Sequence, residues 1–575
     1  MTATKHATIA ENLVESFRAV PEQTALILLH SNQAEQIIRY HDLETGSSAY
    51  EQLLAQAGIS PGEVVIIILP HGPELVFSFF GAILHGAIPS IMPFLTEKLS
   101  PEQYRSSLAA LFEITAPAAV ITYPEFATEV YQAAAGAPCI RAVIASSQAA
   151  ETATAATGSY PGVSRAVTDI ALLQHSSGTT GLQKGVALSH QAVSNQLEHY
   201  ASAILLNQRD IIVSWLPLYH DMGLIAGFLL PILLRCPLIL LSPFDWVRAP
   251  VRLLQAVSTY HGTLTWMPNF AYNFCAQKIR GRDLEDLNLS SWRAVINCSE
   301  PMHWKSHAMF LERFQAYGLK PGALATCYAM AENVFAVTQG GIGQPVCIDT
   351  IDAIAFTTRQ VAEPVSPSHP QALPMLSAGS PITGTHIRVL DAQGGDMPDR
   401  QIGELAIQSD CMLTGYYRRP DLTTKAFLDG WYLTGDLGYL ADGEVYITGR
   451  KKDLIIVGGK NIYPQDIERL VFEVPGVHPG RAVAFGVYDE LAGTEEVVVV
   501  AEVDQSRQTE VGESTTEWEQ ETTQLALDIR QKVNRGTDIV LRAAYIVKKD
   551  WLLKTSSGKI ARSANRAKYL TEIGE

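Results

Sequence analysis

Short, fully apolar stretches alternate along the chain with longer segments whose apolar residues recur at helical spacing. Val64–Leu69, Ala118–Thr122, Ile211–Trp215 and Leu238–Leu241 contain no charge, which is typical of strands that are buried on both faces. Glu74–His85 follows the first of these stretches with the period of a helix. This alternation predicts an α/β fold with mainly parallel sheets that are covered by helices.

One apolar segment is long enough to raise the question of a membrane span. Residues 222–241 comprise 20 positions with a single charge, which is the length of a spanning helix. Pro231, Arg235 and Pro237 interrupt the segment, so the apolar runs between them are short. We therefore predict a buried helix followed by a buried strand, and no transmembrane segment.

Three regions depart from the strand–helix alternation and mark the organisation of the chain. The small, polar stretch Ala149–Gly162 predicts a surface linker, and the four prolines of Val361–Pro374 predict an irregular excursion outside any sheet. From Gly430 onward, short strand-like runs alternate with turns and charges, and the pattern breaks near Gly449–Lys452. The roughly 125 residues that follow are expected to form a separate small domain.

Composition and charge narrow the possible partners. The 575 residues carry 43 Lys+Arg against 59 Asp+Glu, a formal charge of −16, which argues against a nucleic-acid binder that relies on bulk positive charge. The seven cysteines contain no C-x-x-C pair and are odd in number, which favours buried thiols over disulfides or a zinc site. The first ten residues contain no apolar run, so we expect no secretory signal and a cytoplasmic protein.

A loop rich in glycine and hydroxyl side chains is the strongest single signal for chemistry. Residues 175–185 read HSSGTTGLQKG and follow the strand-like Ile170–Leu173. Glycines let backbone N–H groups turn toward an anion, hydroxyls add donors and Lys184 adds a positive charge, so the loop can hold a polyphosphate. It is not a Walker A loop, because Gln183 and Gly185 stand where that motif has Gly and Ser or Thr. The alternative is a flexible polar linker.

Further motifs follow this loop in order over most of the chain. They are WLPLYHDMG at 215–223, CSEP at 298–301, CYAMAE at 327–332, YLTGD at 432–436, GRKKD at 449–453 and TSSGKI at 555–560. Together with the loop, they resemble the motifs of the adenylate-forming superfamily. This superfamily includes acyl-CoA synthetases, peptide-synthetase adenylation domains and beetle luciferases.

The resemblance implies an α/β fold in two parts. A large N-terminal domain, residues 1–449, is expected to contain several subdomains with mainly parallel sheets flanked by helices, and a β-barrel-like subdomain. A small, mobile α+β domain, residues 450–575, is expected to act as a lid. Lys452 matches the family's hinge position, where the backbone changes between two lid orientations.

The resemblance also implies ATP and Mg²⁺ as cofactors and assigns residues to them. Glu332 matches the magnesium ligand, a hard oxygen donor, whereas Asp436 and Arg450 match ribose-binding positions. Tyr328 is expected to stack flat on the adenine. Taken alone, these residues have ordinary alternatives as a surface carboxylate, a turn-forming Asp and a core aromatic. The other matches are the phosphate-binding Ser176, Ser177, Gly178, Thr179, Thr180, Gly181 and Lys184, and the adenine-binding Ser299, Glu300, Pro301, Cys327, Ala329, Met330 and Ala331.

Two residues match positions at the family's reaction centre. Lys559 is the lysine that the small domain brings over the α-phosphate and the substrate carboxylate, where an ammonium group stabilises negative charge. His220 lines the passage to the carboxylate by resemblance, and a structural histidine is its alternative. The acyl pocket is expected to include Asp221, Met222, Gly223, Met267, Asn269 and Phe270.

Two features favour the fatty acyl-AMP ligases within the superfamily. Residues 267–275, MPNFAYNFC, are similar to their Pro-Asn-Phe-Ala-Tyr signature and contain no carboxylate to bind an amino group, which disfavours an amino-acid substrate. The Pro-rich segment at about residues 346–376 stands where those enzymes carry an insertion. By resemblance, the insertion hinders the lid rotation that reaction with free coenzyme A requires.

The expected function is therefore ATP-dependent activation of a fatty acid of medium to long chain to an acyl-adenylate, with release of pyrophosphate. The acyl group is expected to pass to the phosphopantetheine thiol of an acyl carrier protein or of a carrier domain of a polyketide or peptide synthase. The nearest alternative is a fatty acyl-CoA ligase with the same first step. A luciferase-like oxygenase has no feature in its favour, and a catalytically dead module is disfavoured because Glu332 and Lys559 are both present. The basic C-terminal stretch, which includes Lys548 and Lys549, is a candidate contact for an acidic carrier protein.

Overall fold

The computed structural model confirms the α/β fold class and shows how the two kinds of sheet are arranged. It describes residues 7–31, 33–94, 101–152, 158–176, 184–457, 460–489, 494–503, 515–537, 539–555 and 558–573.

Strands and helices alternate up to residue 176. The strands are β1 (Thr24–Leu29), β2 (Gln36–Arg39), β3 (Val64–Ile68), β4 (Ile88–Ile91), β5 (Ala119–Thr122), β6 (Ala142–Ala145) and β7 (Ile170–Ser176). The helices are α1 (Ile9–Ala19), α2 (Tyr40–Gln56), α3 (Pro73–His85), α4 (Pro101–Thr115), α5 (Ala127–Ala134) and α6 (Ser147–Thr152). Strands β4, β3, β5 and β6 form a parallel sheet in that order. Helix α3 ends at Gly86, whose φ of 82° suits a left-handed helix cap.

The next part of the chain completes a second sheet, whose strands contribute buried residues to the large apolar core. The strands of this part of the chain are β8 (Lys184–Ser189), β9 (Ile212–Ser214), β10 (Leu238–Leu241), β11 (Leu264–Met267), β12 (Ala294–Cys298) and β13 (Leu324–Cys327). Its helices are α7 (His190–Ala203), a π-helix (Met222–Leu229) that continues into α8 (Leu230–Leu233), α9 (Pro243–Arg248), α10 (Val251–Tyr260), α11 (Asn269–Lys278) and α12 (Trp304–Phe314). The seven-stranded sheet has the order β13-β12-β11-β9-β10-β1-β2 and is parallel except for β2.

Antiparallel pairing dominates from residue 338 to residue 450. The elements are β14 (Thr338–Gln339), β15 (Ile348–Asp352), α13 (Ala353–Arg359), β16 (Ala372–Leu376), β17 (Ser380–Pro381), β18 (Thr385–Leu390), β19 (Gly403–Ser409), β20 (Gly415–Tyr416), α14 (Pro420–Lys425), β21 (Phe427–Leu428), β22 (Trp431–Ala441) and β23 (Glu444–Arg450). Strands β18, β19, β22, β21 and β23 form one antiparallel sheet, and β20 joins β8 and β7 in another.

The C-terminal elements enclose an apolar core of their own. They are β24 (Ile455–Val457), β25 (Lys460–Ile462), α15 (Pro464–Phe472), β26 (Val477–Asp489), β27 (Thr494–Val503), α16 (Thr515–Gly536), β28 (Ala543–Val547) and α17 (Arg562–Glu572). Ile467 of α15, Val499 of β27 and Ile529 of α16 are fully buried together in this core. Strand β27 pairs with β26 in antiparallel and with β28 in parallel orientation.

The apolar segment 222–241 forms a buried helix and then the buried strand β10, as predicted. Within the described part of the chain, no helix combines the length and the apolar character that a membrane crossing needs. All seven cysteines are free thiols, five of them buried.

Two of the sequence expectations are wrong in part. Pro374, expected outside any sheet, lies in β16 opposite Thr350 of β15, because a two-stranded hairpin has free edges that tolerate a residue without an N–H group. The expected surface linker 149–162 is not exposed at its ends: Ala149 lies buried in α6, and the buried Tyr160 has its hydroxyl 2.8 Å from that of Ser48. Residues 153–157 of this stretch lie outside the described residues.

Candidate active site

The carboxyl ends of neighbouring parallel strands meet at one large cavity. Strands β9, β11, β12 and β13 are parallel, and the segments that leave their carboxyl ends line the cavity, as is usual for ligand sites of open α/β sheets. Residues 450–452 and residues 550, 552–555, 558 and 559 also line the cavity. The cavity volume is about 1470 Å³, and its charged and polar lining includes Lys184, His220, Asp221, Ser299, Glu332, Arg450, Lys452 and Lys559.

Both ends of the glycine-rich loop are fixed by a strand pair. Ser176 at the end of β7 lies opposite Lys184 at the start of β8. The Lys184 side chain lines the cavity, and its ammonium nitrogen lies 4.8 Å from the centre of the Tyr416 ring, which is a cation–π contact. The phosphate-binding candidates Ser177, Gly178, Thr179, Thr180 and Gly181, and the side chain of Ser176, lie outside the described residues.

Glu332 stands in a short 3-10 turn that follows β13, and its side chain lines the cavity. Its Oε1 accepts a 2.9 Å hydrogen bond from the Tyr416 hydroxyl, which lies 2.9 Å from the hydroxyl of Tyr432. Burial raises the pKa of Glu332, and the Tyr416 hydrogen bond opposes this shift. A partly buried carboxylate in the same cavity as Lys184 fits the oxygen donor that Mg²⁺ prefers.

Asp436 connects the antiparallel sheet to Tyr328. Asp436 of β22 and Arg450 of β23 are cross-strand neighbours, and Arg450 Nε donates to Asp436 Oδ1 at 2.9 Å. The Tyr328 hydroxyl donates to Asp436 Oδ2 at 2.6 Å. Asp436 raises the pKa of Arg450, whereas burial and the charge of Asp436 raise the pKa of Tyr328. The sequence analysis singled out Asp436 and Arg450 as ribose-binding candidates, but it predicted neither their ion pair nor the hydrogen bond that fixes Tyr328.

The adenine candidates divide between the cavity wall and the layer behind it. Ser299 lines the cavity with a φ of 71°, a left-handed conformation that is uncommon for a residue other than glycine. Ala329, Met330 and Ala331 line the same wall. Four adenine candidates are not among the residues that line the cavity. They are Glu300, the exposed Pro301, the buried Cys327 in β13, and the buried Tyr328.

Glu300, an adenine-binding candidate, is hydrogen-bonded to Phe270, an acyl-pocket candidate. Its carboxylate accepts a hydrogen bond from the backbone N–H of Phe270 in the first turn of α11. A negative charge at the amino end of a helix is favourable because the unpaired N–H groups point toward it. Burial raises the pKa of Glu300, and the Phe270 N–H and Lys559 oppose this shift.

His220, Asp221 and Lys559 all line the cavity, and Lys559 is close enough for its charge to act on the other two. Burial lowers the pKa of His220 to about 3, with a further lowering by the charge of Lys559, so the imidazole is neutral at physiological pH. Burial raises the pKa of Asp221, and Lys559 opposes that shift. Lys559 follows Gly558, whose φ is 83°, and its backbone N–H donates to Thr555 Oγ1 at 3.2 Å. The C-terminal loop therefore places a cation beside the segment that follows β9.

Many large apolar side chains line the same cavity, and the part of the cavity that they line is called the apolar arm here. Met222, Gly223 and Phe270 line the cavity. Two acyl-pocket candidates lie elsewhere: Met267 is fully buried inside β11, and Asn269 hydrogen-bonds to neighbouring polar groups with Oδ1 3.0 Å from the His303 backbone nitrogen. Trp215 and Leu216 of the WLPLYHDMG motif also line the cavity. Sequence reasoning missed further apolar lining residues, among them Met92, Phe94, Leu108, Leu111, Ile114, Phe244 and Val247.

In the sequence, the only signal for these missed residues was the spacing of apolar positions in the segments that form α4 and α9. Phe244 and Val247 of α9 are 37% and 55% exposed, which is unusual for large apolar side chains beside a core. Leu108 and Leu111 of α4 line the same arm. The arm has a rigid aromatic wall, because Trp215 stacks on the buried Trp246 with ring centres 3.5 Å apart.

The turn that carries Lys452 joins β23 to the C-terminal elements. It is a 3-10 helix, Lys451–Asp453, and Lys452 lines the cavity. Burial and the neighbouring Arg450 lower the pKa of Lys452. Lys451 Nζ donates to Glu404 Oε2 of β19 at 2.6 Å, so the turn is also attached to the antiparallel sheet.

The Pro-rich segment 346–376 contacts both the antiparallel sheet and the C-terminal elements. It contains β15, α13 and β16. Phe356 of α13 is buried, and its ring centre lies 5.4 Å from that of Tyr463, directly before α15. Ile351 and Phe356 share an apolar cluster with Tyr439 of β22 and with Tyr463.

Comparison with known proteins identifies the class to which this fold and cavity belong. A family model of AMP-binding enzymes matches residues 13–417. The chain belongs to the AMP-binding enzyme family, and its relatives include fatty acyl-AMP ligases.

Individual relatives are similar over almost the whole chain. The medium-chain-fatty-acid–acyl-carrier-protein ligase of Moorena producens is 30% identical over 555 residues, which cover 93% of this chain and 90% of that protein. The long-chain-fatty-acid–AMP ligase of Mycobacterium tuberculosis strain H37Rv is 29% identical over 89% of this chain and 88% of that protein.

Solved structures of fatty acyl-adenylate ligases have the same fold. One, from a study of the enzymes of E. coli and L. pneumophila, has a TM-score of 0.87 at 26% identity and covers 98% of both chains. The crystal structure of the L. pneumophila enzyme in complex with acyl adenylate and pyrophosphate has a TM-score of 0.72 at 27% identity, over 98% of this chain and 96% of that one.

Proposed function

We propose that the protein activates a fatty acid with ATP and transfers the acyl group to an acyl carrier protein. A carboxylate oxygen of the fatty acid attacks the α-phosphorus of ATP, the bond to the bridging β-phosphate oxygen breaks, and pyrophosphate leaves. The phosphopantetheine thiol then attacks the acyl carbon, loses its proton, and displaces AMP. The observation that carries this proposal is one cavity that is lined both by Lys184, Glu332 and Lys559 and by many large apolar side chains.

The polar half of this cavity is the proposed nucleotide site. Asp436 and Arg450 bind the ribose, since a carboxylate can accept hydrogen bonds from both hydroxyls of the diol. Lys184 binds the phosphates together with the loop 176–181. Ser299 and the wall formed by residues 329–331 flank the adenine, and the buried Cys327 and Tyr328 support that wall from behind. Glu300 and the exposed Pro301 hold the chain after Ser299 in place.

Glu332 is the proposed magnesium ligand. Its carboxylate lines the cavity beside Lys184, and the Tyr416 hydroxyl holds one of its oxygens. When bound at Glu332, Mg²⁺ would supply positive charge that offsets the negative charge of the phosphates. The contribution of the protein is to orient the carboxylate through the Tyr416 hydroxyl in a site that is partly shielded from water.

Lys559 and His220 are the proposed catalytic residues. The Lys559 ammonium stabilises the negative charge that develops between the α-phosphate and the fatty-acid carboxylate. Neutral His220 hydrogen-bonds and orients that carboxylate without adding a charge. Asp221, Met222 and Gly223 shape the passage through which the carboxylate enters.

The apolar arm favours a hydrocarbon chain of medium to long length. Each methylene group that leaves water contributes about 0.8 kcal/mol of binding free energy, so affinity rises with chain length until the arm is full. Phe270, Phe244 and Val247 provide apolar contacts, whereas Met267 and Asn269 act only by supporting β11 and α11. The names of the Moorena and Mycobacterium relatives, a medium-chain and a long-chain ligase, agree with this class of substrate.

The domain organisation bears on the acyl acceptor. We propose a body of residues 1–449 and a lid of residues 450–575 that pivots at Lys452. The insertion at about residues 346–376 restrains this pivot through the contact between Phe356 and Tyr463. Transfer to a carrier protein is favoured over the alternative, an acyl-CoA ligase, by this contact and by the carrier-protein acceptor in the name of the Moorena relative.

Mass spectrometry of the nucleotide products tests the adenylation step. The protein is incubated with MgATP and saturated fatty acids of increasing length, and acyl-AMP, AMP and pyrophosphate are quantified. The proposal expects acyl-AMP and pyrophosphate in equal amounts, and no product from the Glu332→Gln variant beyond a background level. Hydrolysis of ATP without any acyl-AMP, or activation of amino acids in preference to fatty acids, contradicts it.

A further inference from the structure

Tyr416 contacts both charged groups that the proposed function places around the phosphates. We propose that Tyr416 is a positioning residue: its hydroxyl orients Glu332 for the metal, and its ring holds Lys184 for the phosphates. This inference rests on the proposed function, and no motif in the sequence pointed to Tyr416.

The pairing of β20 with β8 explains how the Tyr416 ring reaches Lys184. Tyr416 lies opposite Val186 in this antiparallel pair. Lys184 and Val186 are two residues apart on a strand and therefore share one face of it. Tyr416 and Lys184 are thus diagonal neighbours on that face, which is within reach of an aromatic side chain and a lysine. The observed separation of 4.8 Å between the ammonium nitrogen and the ring centre is a favourable cation–π distance.

The hydroxyl group of Tyr416 belongs to a chain of hydrogen bonds with a defined direction. The ionised carboxylate of Glu332 can only accept, so the Tyr416 hydroxyl donates to it at 2.9 Å. Because that proton is used, the Tyr432 hydroxyl must donate to the oxygen of Tyr416 across their 2.9 Å contact. Tyr416 is 6% exposed, so water competes little with these bonds.

Backbone contacts hold Tyr416 and Glu332 at a fixed separation. The backbone N–H of Leu413, shortly before β20, donates to the carbonyl oxygen of Glu332 at 2.8 Å. The N–H of Tyr416 donates to Thr423 Oγ1 at 2.9 Å. The tyrosine is therefore a rigid support, whereas Glu332 on its short turn and Lys184 on its long side chain can each adopt several rotamers. Residues that orient a metal ligand in this way typically contribute 10- to 100-fold to metal affinity.

Three variants separate the two parts of the proposal. Tyr416→Phe removes only the hydroxyl, Tyr416→Leu removes the hydroxyl and the aromatic ring, and Tyr432→Phe leaves the bond between Tyr416 and Glu332 intact. Titration calorimetry measures ATP binding without fatty acid, once with Mn²⁺ and once with EDTA. Thermal unfolding of each variant, compared with the wild type, checks that the fold is kept.

The expected results differ for the two variants of Tyr416. Tyr416→Phe loses about tenfold in affinity for the Mn²⁺–ATP complex and keeps its affinity for metal-free ATP within about threefold. Tyr416→Leu loses affinity under both conditions, because Lys184 is no longer held in place. Tyr432→Phe has a smaller effect on Mn²⁺–ATP than Tyr416→Phe has.

Three outcomes overturn the proposal. They are a loss of less than about threefold in Mn²⁺–ATP affinity for Tyr416→Phe, an equal loss with EDTA, and an unchanged affinity of Tyr416→Leu for metal-free ATP. These titrations need no fatty acid and no turnover. Failure of the wild type to form acyl-AMP therefore refutes the proposed function separately from the role of Tyr416.

Discussion

Replacement of Lys559 by alanine is expected to stop adenylation while leaving nucleotide binding nearly intact. In this structure Lys559 is the cation that the C-terminal loop contributes beside His220 and Asp221, and its charge alters the pKa of both groups. The nucleotide keeps Lys184, Glu332 and Arg450, which are all contributed by other elements. The loss should therefore fall on the transition state, where negative charge accumulates, and not on the bound substrate.

The magnitude follows from the loss of one positioned donor. Removal of such a contact typically costs 10²- to 10³-fold in rate, or about 3–4 kcal/mol of activation free energy. Fatty-acid-dependent exchange of pyrophosphate into ATP measures the rate, and calorimetry with MgATP measures the affinity. Lys549→Ala, an exposed lysine of the same region, is the control and should retain normal exchange. Normal exchange by Lys559→Ala refutes the reasoning, and so does a loss that resides entirely in ATP affinity.

Three further predictions follow from the packing and the buried ionisable groups. Phe356→Ala removes the contact with Tyr463, and we expect it to raise acyl-CoA formation relative to the wild type, measured by chromatography with free coenzyme A; unchanged product ratios contradict this. Val247→Trp fills the apolar arm and should lower kcat/KM for long fatty acids more than for short ones; an equal loss at all lengths contradicts this. Burial lowers the pKa of His307 to about 4, below the value of about 6.5 in the unfolded chain, so the unfolded state binds the proton first on acidification. The stability contributed by this histidine is therefore complete above pH 6.5 and is lost toward pH 4 at up to about 1.4 kcal/mol per pH unit. The difference in unfolding free energy between the wild type and His307→Asn should shrink over that pH range. A difference that stays constant with pH contradicts this prediction.

Much of the fold was predictable because its central strands are uniformly apolar. The stretch Leu238–Leu241 forms β10 with the predicted bounds, and Val64–Leu69 differs from β3 by one residue. A strand that is buried on both faces carries no charged side chain, so its uniformly apolar pattern does not depend on which elements pack against it. Pro374 was placed wrongly because a proline excludes a residue only from the interior of a sheet, and which strands lie at an edge depends on the topology.

The candidate site was predictable where a charged or chelating group stands in a motif. Lys184, Glu332, Arg450 and Lys559 come from distant parts of the sequence and line one cavity. Taken alone, Glu332, Arg450 and Lys559 have ordinary alternatives, and only the resemblance of their motifs to those of a known family singles them out.

Residues that act through shape were harder to find. Phe244 and Val247 resemble any other apolar residues of a helix until the position of the cavity is known. Met267 and Asn269 carry the expected chemistry but point into the core, because the direction of a side chain depends on the strand and helix that hold it. The hydrogen bond from Tyr416 to Glu332 joins residues 84 positions apart, so no local pattern could reveal it.

The central claim is that this enzyme makes a fatty acyl-adenylate for a carrier protein and not for coenzyme A. The most direct measurement is a competition in which the protein, a fatty acid and MgATP are given a holo acyl carrier protein and free coenzyme A together. Intact-protein and small-molecule mass spectrometry then follow both thioesters. We predict acyl-AMP and acylated carrier protein with little acyl-CoA. Acyl-CoA formed as fast as the acylated carrier protein would contradict this claim.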